Sequence, residues 1–322
     1  MERRILITGA AGYIGHQLGE QLCRSLPVTG VDIHTKAASF PILVKDICDA
    51  TLGELMLSES ITHVIHLASI MSAGRDQIAE YRIDVEGTKN VLDACLFAGI
   101  EHITVTSSGA AYGYHSDNPV WLKEYHPLRG NPEFAYSNNK RKVEELLGEY
   151  REKYPHLKQL IFRVSSVLGA QTNNKISALF SQKAILDPGG HNSPFVFIWD
   201  QDVIRAIAHG LDAGASGIFN LAGDGSLRPG EIAQTLGKPL IKPPIWLVKA
   251  ILWIGYSLHL TNTKPGHVAF LQYRPVLDNR LLKEVLGFLP EKSSKEVFHL
   301  FAQEALGISP DSVNRQLPVG RN

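Results

Sequence analysis

The chain has no excess of charge of either sign: Lys plus Arg and Asp plus Glu each number 32 in 322 residues, and no basic tail is present. That balance removes the electrostatic reason to expect a nucleic acid partner. Cysteine is scarce, with Cys23, Cys48 and Cys95 set singly among apolar neighbours. Three thiols at those spacings form neither a disulfide framework nor a metal-ligand set, so no bound metal and a reducing, cytoplasmic setting are expected. Behind two N-terminal arginines the apolar run "ILI" reaches "TGAAGYIG" at once. It is too short for a signal peptide and is expected to be a first strand. Internal repeats and low-complexity linkers are absent as well. One apolar stretch, "IWLVKAILWIGYSLHL" at 245–260, carries two tryptophans but is interrupted by Lys249. It falls short of the about 20 apolar residues that cross a bilayer, so stable membrane insertion is not expected. A buried or lid helix over the substrate region is expected there, with contact to a membrane surface as the alternative.

What remains is an ordinary globular composition, long enough for one large or two smaller domains. The N-terminal half alternates β-rich runs ("RILIT", "PVTGVDI", "PILVKDI", "THVIHLA", "HITVTSS", "LKQLIFRV") with helical stretches at 14–25, 51–58, 77–98 and 132–154. This is the pattern of a parallel sheet wrapped by helices. After residue 165 the alternation loosens, with strands at "FVFIW" and "GIFNLAG" and helices around 201–212, 229–236, 246–259, 278–286 and 293–306. The expected fold is α/β: a Rossmann-type doubly wound parallel sheet over 1–165, and a smaller, mostly helical substrate-binding lobe over 166–322, interleaved without a clean boundary.

The first strand runs into "ILITGAAGYIG", with Gly9, Gly12 and Gly15 at three-residue spacing where a helix opens. Glycines so placed permit a tight turn, close approach of the backbone to a pyrophosphate, and close packing of helix on sheet, while the helix N-terminus favours the anion. Asp32 ends the second strand, 23 residues after Gly9. A carboxylate there can accept both ribose hydroxyls of NAD and would repel the extra phosphate of NADP.

A second signal is "NPEFAYSNNKRKVEELL" at 131–147, in which Tyr136 and Lys140 stand four apart. Chance yields about half a Tyr-x-x-x-Lys match in such a chain, so context decides. Tyr154 and Lys158 share the spacing, but Pro155 disfavours helix between them. For Tyr136 the context is helical: Asn131 reads as an N-cap, Pro132 as the first helical residue, and Val143, Leu146, Leu147 and Tyr150 follow at helical spacing. Both side chains then share one face.

The spacing of Gly9, Gly12 and Gly15 together with Tyr136-x-x-x-Lys140 resembles the extended short-chain dehydrogenase/reductase superfamily, which includes NAD-dependent sugar epimerases and dehydratases. "KDI" with Asp46 and Ile47, "HLAS" at 66–69, "VEGTKNVLDAC" at 85–95, "TSSGAAYG" at 106–113, "FRVSSVLG" at 162–169, "DQDVIRAI" at 200–207 and "FNLAG" at 219–223 extend the likeness over about residues 3–300. The resemblance implies NAD as cofactor, held by Gly9, Gly12, Tyr13, Ile14, Gly15 and Asp32, by Asp46 and Ile47 at the adenine, by Leu67, Ala68 and Ser69, and by Lys140 at the nicotinamide ribose. It implies that Tyr136 exchanges a proton with the substrate oxygen. A phenol with pKa ~10 is a poor base at neutral pH unless a cation stabilises the phenolate, and Lys140 would be that cation. Ser108 would orient the substrate carbonyl or alcohol, with Ser107 or Thr106 in its place if the register slips by one. Asp84 stands where relatives put Asn, as a proton-relay member or a helix-surface carboxylate; His66 reads as structural, and Asp202 as a helix cap that docks the second lobe. A homodimer through the helices at 77–98 and 132–154 is also implied, with Ile83, Val91, Leu92, Val143 and Leu147 as its apolar residues.

The substrate region departs from sugar-nucleotide relatives: by alignment Ser166 and Phe195 stand where they carry Asn and Arg. "PFVFIW" offers Phe195, Phe197, Ile198 and Trp199 where a diphosphate would need cations, and "ASIMSAG" adds the uncharged Met71 and Ser72. An apolar pocket is expected. The leading reading is an NAD-dependent oxidoreductase acting on a secondary alcohol or ketone of a small or moderately apolar substrate. The alternatives are a nucleotide-sugar epimerase or dehydratase, and a dinucleotide-binding sensor without turnover.

Overall fold

The structure is a computed structural model that describes residues 2–70 and 76–308. Its N-terminal part builds β1 (Ile5–Thr8), α1 (Tyr13–Leu22), β2 (Val28–Asp32), β3 (Ile42–Val44), α2 (Leu52–Ser58), β4 (His63–His66), α3 (Gln77–Tyr81), α4 (Gly87–Phe97), β5 (His102–Ser108), α5 (Ala135–Lys153) and β6 (Lys158–Val164). The chain continues through β7 (Ser166–Leu168), α6 (Lys175–Phe180), β8 (Ile185–Leu186), β9 (Phe197–Trp199), α7 (Asp200–Asp212), β10 (Gly217–Leu221), α8 (Pro229–Leu236), β11 (Leu240–Ile241) and α9 (Ile245–Ser257). It closes with α10 (Val268–Gln272), α11 (Arg280–Glu284) and α12 (Ser294–Glu304).

Seven strands form one sheet in the order β10-β6-β5-β4-β1-β2-β3, every pair parallel. Alternation along β1 shows why helices cover both faces. Ile5 and Ile7 join Leu18, Phe40, Phe162, Ile204 and Ile207 in one layer, under α1 and α7. Leu6 points the other way, to Leu52, Met56, Val91, Leu92, Val143 and Leu147 beneath α2, α4 and α5. The order of connection reverses between β1 and β4, which opens a crevice at the carboxyl ends of the strands. β10 returns to the edge of this sheet, and α7 packs against α1, so residues beyond 165 complete the first layer. A separate cluster of Leu168, Phe180, Phe195, Phe197, Ile232, Phe298 and Phe301 forms the core of the C-terminal part, with β7–β9 and β8–β11 as two small parallel pairs.

Several expectations change in the folded chain. The helix expected over 77–98 is interrupted at Arg82–Glu86 by a π-helical turn. The helix expected from Pro132 begins at Ala135, because Asn131 Oδ1 accepts the Tyr114 amide (2.7 Å) and the Ser137 hydroxyl (3.1 Å) and caps nothing. Val91, Leu92, Val143 and Leu147, assigned to a dimer face, are buried in the chain's own core. Of the readings for 245–260, burial is the one that fails: α9 has no buried residue, and both tryptophans are exposed. Among the described residues, no helix is long and apolar enough to cross a membrane, and no group of three His, Cys, Asp or Glu could hold a metal ion.

Candidate active site

The candidate site residues with described positions gather along the carboxyl edge of the sheet. After β1 the chain turns at Gly9, whose φ of +73° suits glycine. A Cβ at Gly9 would lie 2.8 Å from the Ala68 amide nitrogen, and one at Gly15 only 2.2 Å from the Gly9 carbonyl oxygen. The turn therefore closes against both its own helix and the loop after β4. α1 opens at Gly12 with no side-chain cap and no acidic residue in its first turn. No side chain of the helix itself caps or neutralises its amide end, which suits an anionic pyrophosphate.

Beside this cradle, Asp32 at the end of β2 accepts the Ala11 amide at 3.0 Å and the His34 amide at 3.2 Å. These bonds hold the carboxylate next to the glycine turn. Asp46 accepts the Cys48 amide at 2.8 Å and pairs with Arg82 at 3.4 Å, while the Ile47 side chain is buried against Gly87. On the β4 side, Leu67 and Ala68 donate their amides to Thr8, and the Ser69 hydroxyl donates to Asp84 Oδ1 at 2.9 Å. Asp84 is buried, accepts the Ile70 amide as well, and among the described residues keeps Oδ2 without a partner, so it is not a surface carboxylate. Met71 and Ser72 lie outside the described residues.

His66 is fully enclosed and hydrogen-bonded to Thr8 (2.7 Å) and Thr88 (3.0 Å). Burial, reinforced by the positive charge of Lys140, holds its imidazole down at about 3. It is neutral at any ordinary pH and ties β1, β4 and α4 together.

Tyr136 and Lys140 stand one turn apart on α5. Tyr136 is half-buried, whereas Lys140 is buried with Nζ 3.5 Å from the Thr106 carbonyl and 5.9 Å from the centre of the Tyr136 ring. Ser108 closes β5 and accepts the Ala110 amide at 3.1 Å. Fully buried Ser137 donates to the Ala110 carbonyl at 2.7 Å, which joins the start of α5 to the turn after Ser108. Ser107 is committed elsewhere: its hydroxyl donates to Glu144 at 2.6 Å.

That Glu144 belongs to a network the sequence reading missed. Arg163 on β6 makes a two-pronged ion pair with it, both bonds 2.8 Å, and donates to the Tyr112 hydroxyl at 2.8 Å. Tyr112 in turn donates to Asn220 on β10 at 2.9 Å. The network locks α5 to β5, β6 and β10, and so fixes the height of Tyr136 and Lys140 above the sheet. Arg163 and Asn220 lie inside "FRVSSVLG" and "FNLAG", so the signal was present in those motifs.

Next to Tyr136 is a cavity lined by Tyr114, Asn131, Pro132, Glu133, Phe134, Gly266 and Ala269. Phe195, Phe197 and Ile198 do not line it; they are core residues, Phe195 and Phe197 in the C-terminal cluster and Ile198 in the layer under α1 and α7. Trp199 is half-buried beneath Lys292. Arg274 is buried against Phe195. Its guanidinium lies 3.5 Å over the Phe195 ring, with Nη1 on the Ser193 carbonyl at 2.7 Å and with Nε and Nη2 unpartnered among the described residues. Burial pulls that group down to about 9, opposed by Asp187 and Tyr114.

Two contacts brace the glycine turn from the C-terminal part: the Tyr13 hydroxyl donates to Asp200, and Gln201 donates to Gln17 at 2.8 Å. Asp202 is not a cap. It sits in the first turn of α7 behind the cap position Trp199, and its Oδ2 accepts the amides of Glu291 and Lys292, which docks that segment.

Comparison with known proteins places this geometry among relatives. Residues 5–222 match the model of a family described as the NAD dependent epimerase/dehydratase family. An uncharacterized protein of Mycobacterium tuberculosis (strain ATCC 25618 / H37Rv) is 20% identical over 307 residues, 91% of this chain and 82% of its own length. An N-acetyl-alpha-D-glucosaminyl-diphospho-ditrans,octacis-undecaprenol 4-epimerase of Escherichia coli O157:H7 is 28% identical over 189 residues, covering 57% of this chain and 55% of that protein. Among solved structures, a UDP-glucose 4-epimerase from Thermotoga maritima with UDP-glucose superimposes with a TM-score of 0.73 at 20% identity, over 94% of this chain and 99% of that one. A short-chain dehydrogenase/reductase superfamily protein from Agrobacterium tumefaciens with bound NAD gives 0.74 at 20% identity, over 94% and 96%.

Proposed function

The chain belongs to the NAD dependent epimerase/dehydratase family, and on that premise we propose that it is an NAD-dependent oxidoreductase that works at a secondary alcohol or ketone through Tyr136, Lys140 and Ser108. The observation that carries this reading is Lys140, buried one helical turn from Tyr136 beside the end of β5. A cation is costly to bury without a task, and here it faces a phenol. Bound NAD supplies the hydride acceptor or donor. In this reading Tyr136 holds and transfers the proton at its phenol oxygen, Lys140 stabilises the phenolate and binds a ribose, and Ser108 orients the substrate oxygen. The cradle fits a dinucleotide: Gly9, Gly12 and Gly15 let the turn close tightly on its own backbone and on the loop after β4 at the start of α1, with Tyr13 and Ile14 in that helix's first turn. Asp32 would take the ribose diol, Asp46 and Ile47 the adenine, and Leu67, Ala68 and Ser69 the nicotinamide end. Residues 1–165 would hold the cofactor and 166–322 the substrate, with α7 and β10 crossing between them. A sensor without turnover would have no use for the Tyr136 and Lys140 pair.

Arg274 favours a second reading, in which the hydride returns to an anionic substrate as in an epimerase. Among the described residues its Nε and Nη2 have no partner, and their three N–H bonds are the kind of donors a phosphate or carboxylate takes. Nicotinamide absorbance separates the two, because only net oxidation or reduction changes it. For either reading, Tyr136→Phe should lower turnover by about 10²–10⁴ with NAD affinity nearly unchanged. Turnover near the parent level in that variant would remove Tyr136 from the chemistry.

The homodimer expected from resemblance would use the outer surfaces of the helices at 77–98 and 132–154, which expose Ile78 and Phe97. With Val91, Leu92, Val143 and Leu147 in the core, the outer surfaces of α4 and α5 present Lys89, Asp93, Glu145 and Glu149. Sedimentation at micromolar concentration measures whether it forms.

A further inference from the structure

We propose that α9 lies in the surface of an anionic lipid bilayer. The inference rests on geometry and charge, independently of the hydride chemistry. At 3.6 residues per turn, Ile245, Val248, Leu252, Gly255 and Tyr256 fall on one side of the helix, and these are its half-buried residues. The rest of the circumference is open. It presents Trp246 (70% exposed), Trp253 (64%), Leu247, Ile251 and Ile254, with Leu258 just beyond the helix end. Single exposed apolar side chains are ordinary on a protein surface, but a contiguous face with two tryptophans marks a docking site.

Charge identifies what docks. Between Glu231 and Asp278 the sequence contains no Asp or Glu, but holds Lys238, Lys242, Lys249, Lys264 and Arg274. Lys242 and Lys249 are exposed; Lys249 is on α9 beside its apolar arc, and Lys242 lies three residues before the helix. Glu133 stands against Gly266, at the cavity end of the segment. An apolar face edged by lysines complements anionic headgroups above acyl chains, and tryptophan prefers that boundary. A second copy of the chain, paired about a two-fold axis, would bring the same lysines together without a carboxylate from this stretch to offset them. At about 1.5 Å per residue, the 13-residue helix spans about 20 Å against about 30 Å of hydrocarbon, so it would lie in the plane of the interface. The face also adjoins the candidate cavity: the chain leaving α9 reaches Gly266 and Ala269 in its wall, and His267 stacks near Phe134.

The test uses the full chain with vesicles of pure phosphatidylcholine and vesicles of phosphatidylcholine mixed with phosphatidylglycerol. The parent should co-sediment with the anionic vesicles, with a blue shift of tryptophan emission, and release as salt is raised. Trp246→Ser with Trp253→Ser should weaken that binding by more than about tenfold, and Lys242→Glu with Lys249→Glu should abolish the preference for phosphatidylglycerol. Circular dichroism and NAD affinity of both variants check that the fold survives. Failure of the parent to bind either vesicle overturns the proposal, as does binding that neither variant alters. A lipid-free dimer that the double tryptophan variant dissolves would also overturn it, assigning the face to a second copy.

Discussion

Asp32 carries the choice of cofactor in a single carboxylate. The Ala11 and His34 amides fix both of its oxygens beside the glycine turn, where a ribose diol can be met and a 2′-phosphate would be repelled. NAD should therefore bind more tightly than NADP, and Asp32→Ser should narrow the gap. Equal dissociation constants for the two cofactors in the parent would show that His34 or Lys36 offsets the carboxylate. His66 is a residue whose effect is read in stability. Its folded value of about 3 lies below the ~6.5 of an unfolded histidine, so over that range the unfolded chain binds a proton that the folded one refuses. The contribution is complete above pH ~6.5 and is lost as pH falls toward about 3, by up to about 1.4 kcal/mol per pH unit. His63, held at about 4 chiefly by burial, acts in the same direction. Denaturant unfolding between pH ~7.5 and ~4.5 should show this slope, and His66→Gln should flatten it. An identical slope in parent and variant would assign acid sensitivity to other groups.

At the scale of elements, the β1 turn and α1 act as one rigid piece. The backbone around Gly9 and Gly15 is closer than any side chain permits, so even a methyl group must displace it. Gly15→Ala should cost about 1–3 kcal/mol of stability by overpacking, and it should weaken NAD binding by tenfold or more because the displaced amides are those facing the pyrophosphate. Calorimetric melting and NAD titration of the variant measure both; an unchanged NAD affinity would separate the turn from the cofactor. The π-helical turn at Arg82–Glu86 shows an element shaped from outside. It carries Asp84 to the Ser69 hydroxyl and the Ile70 amide, two partners supplied by the loop after β4. Such widened turns concentrate at functional sites.

For the molecule as a whole, the Arg163 and Glu144 pair joins α5 to three strands across the sheet. Both groups are buried, and their charges are met by each other, Ser107 and Tyr112. Removing one partner leaves the other uncompensated, a loss of about 3–5 kcal/mol. Arg163→Met should therefore unfold the chain at markedly lower denaturant. Arg163→Met with Glu144→Leu should recover much of the loss, since an apolar pair of similar volume avoids the stranded charge. If the double variant were no more stable than the single one, the pair would not be coupled in this way. The Tyr13 bond to Asp200 and the Asp202 bonds to residues 291–292 extend the same logic, tying the glycine turn and the C-terminal segment to α7.

The sequence by itself determined the parallel sheet, its helices, the glycine turn after β1, and the helical placement of Tyr136 and Lys140. Each of these is written in short-range pattern: alternation along a strand, glycines three apart at a strand end, two side chains one turn apart. Helix boundaries were less legible, because capping is a competition: Asn131 reads as a cap, but the Tyr114 amide, 17 residues away, takes its oxygen. Tertiary structure alone decided which apolar residues face inward. Phe195, Phe197 and Ile198 read as a pocket wall because an apolar strand looks the same from either side, and only the packing of α6, α8 and α12 around the two phenylalanines, and of α7 on Ile198, makes them core. The same ambiguity ran the other way in 245–260, where a buried helix and a solvent-facing one share one composition. Partners far apart in the chain, such as Arg274 over Phe195 or Arg163 on Glu144, leave no local period to read. Their energies depend on the burial of both groups at once, and burial is a property of the folded chain.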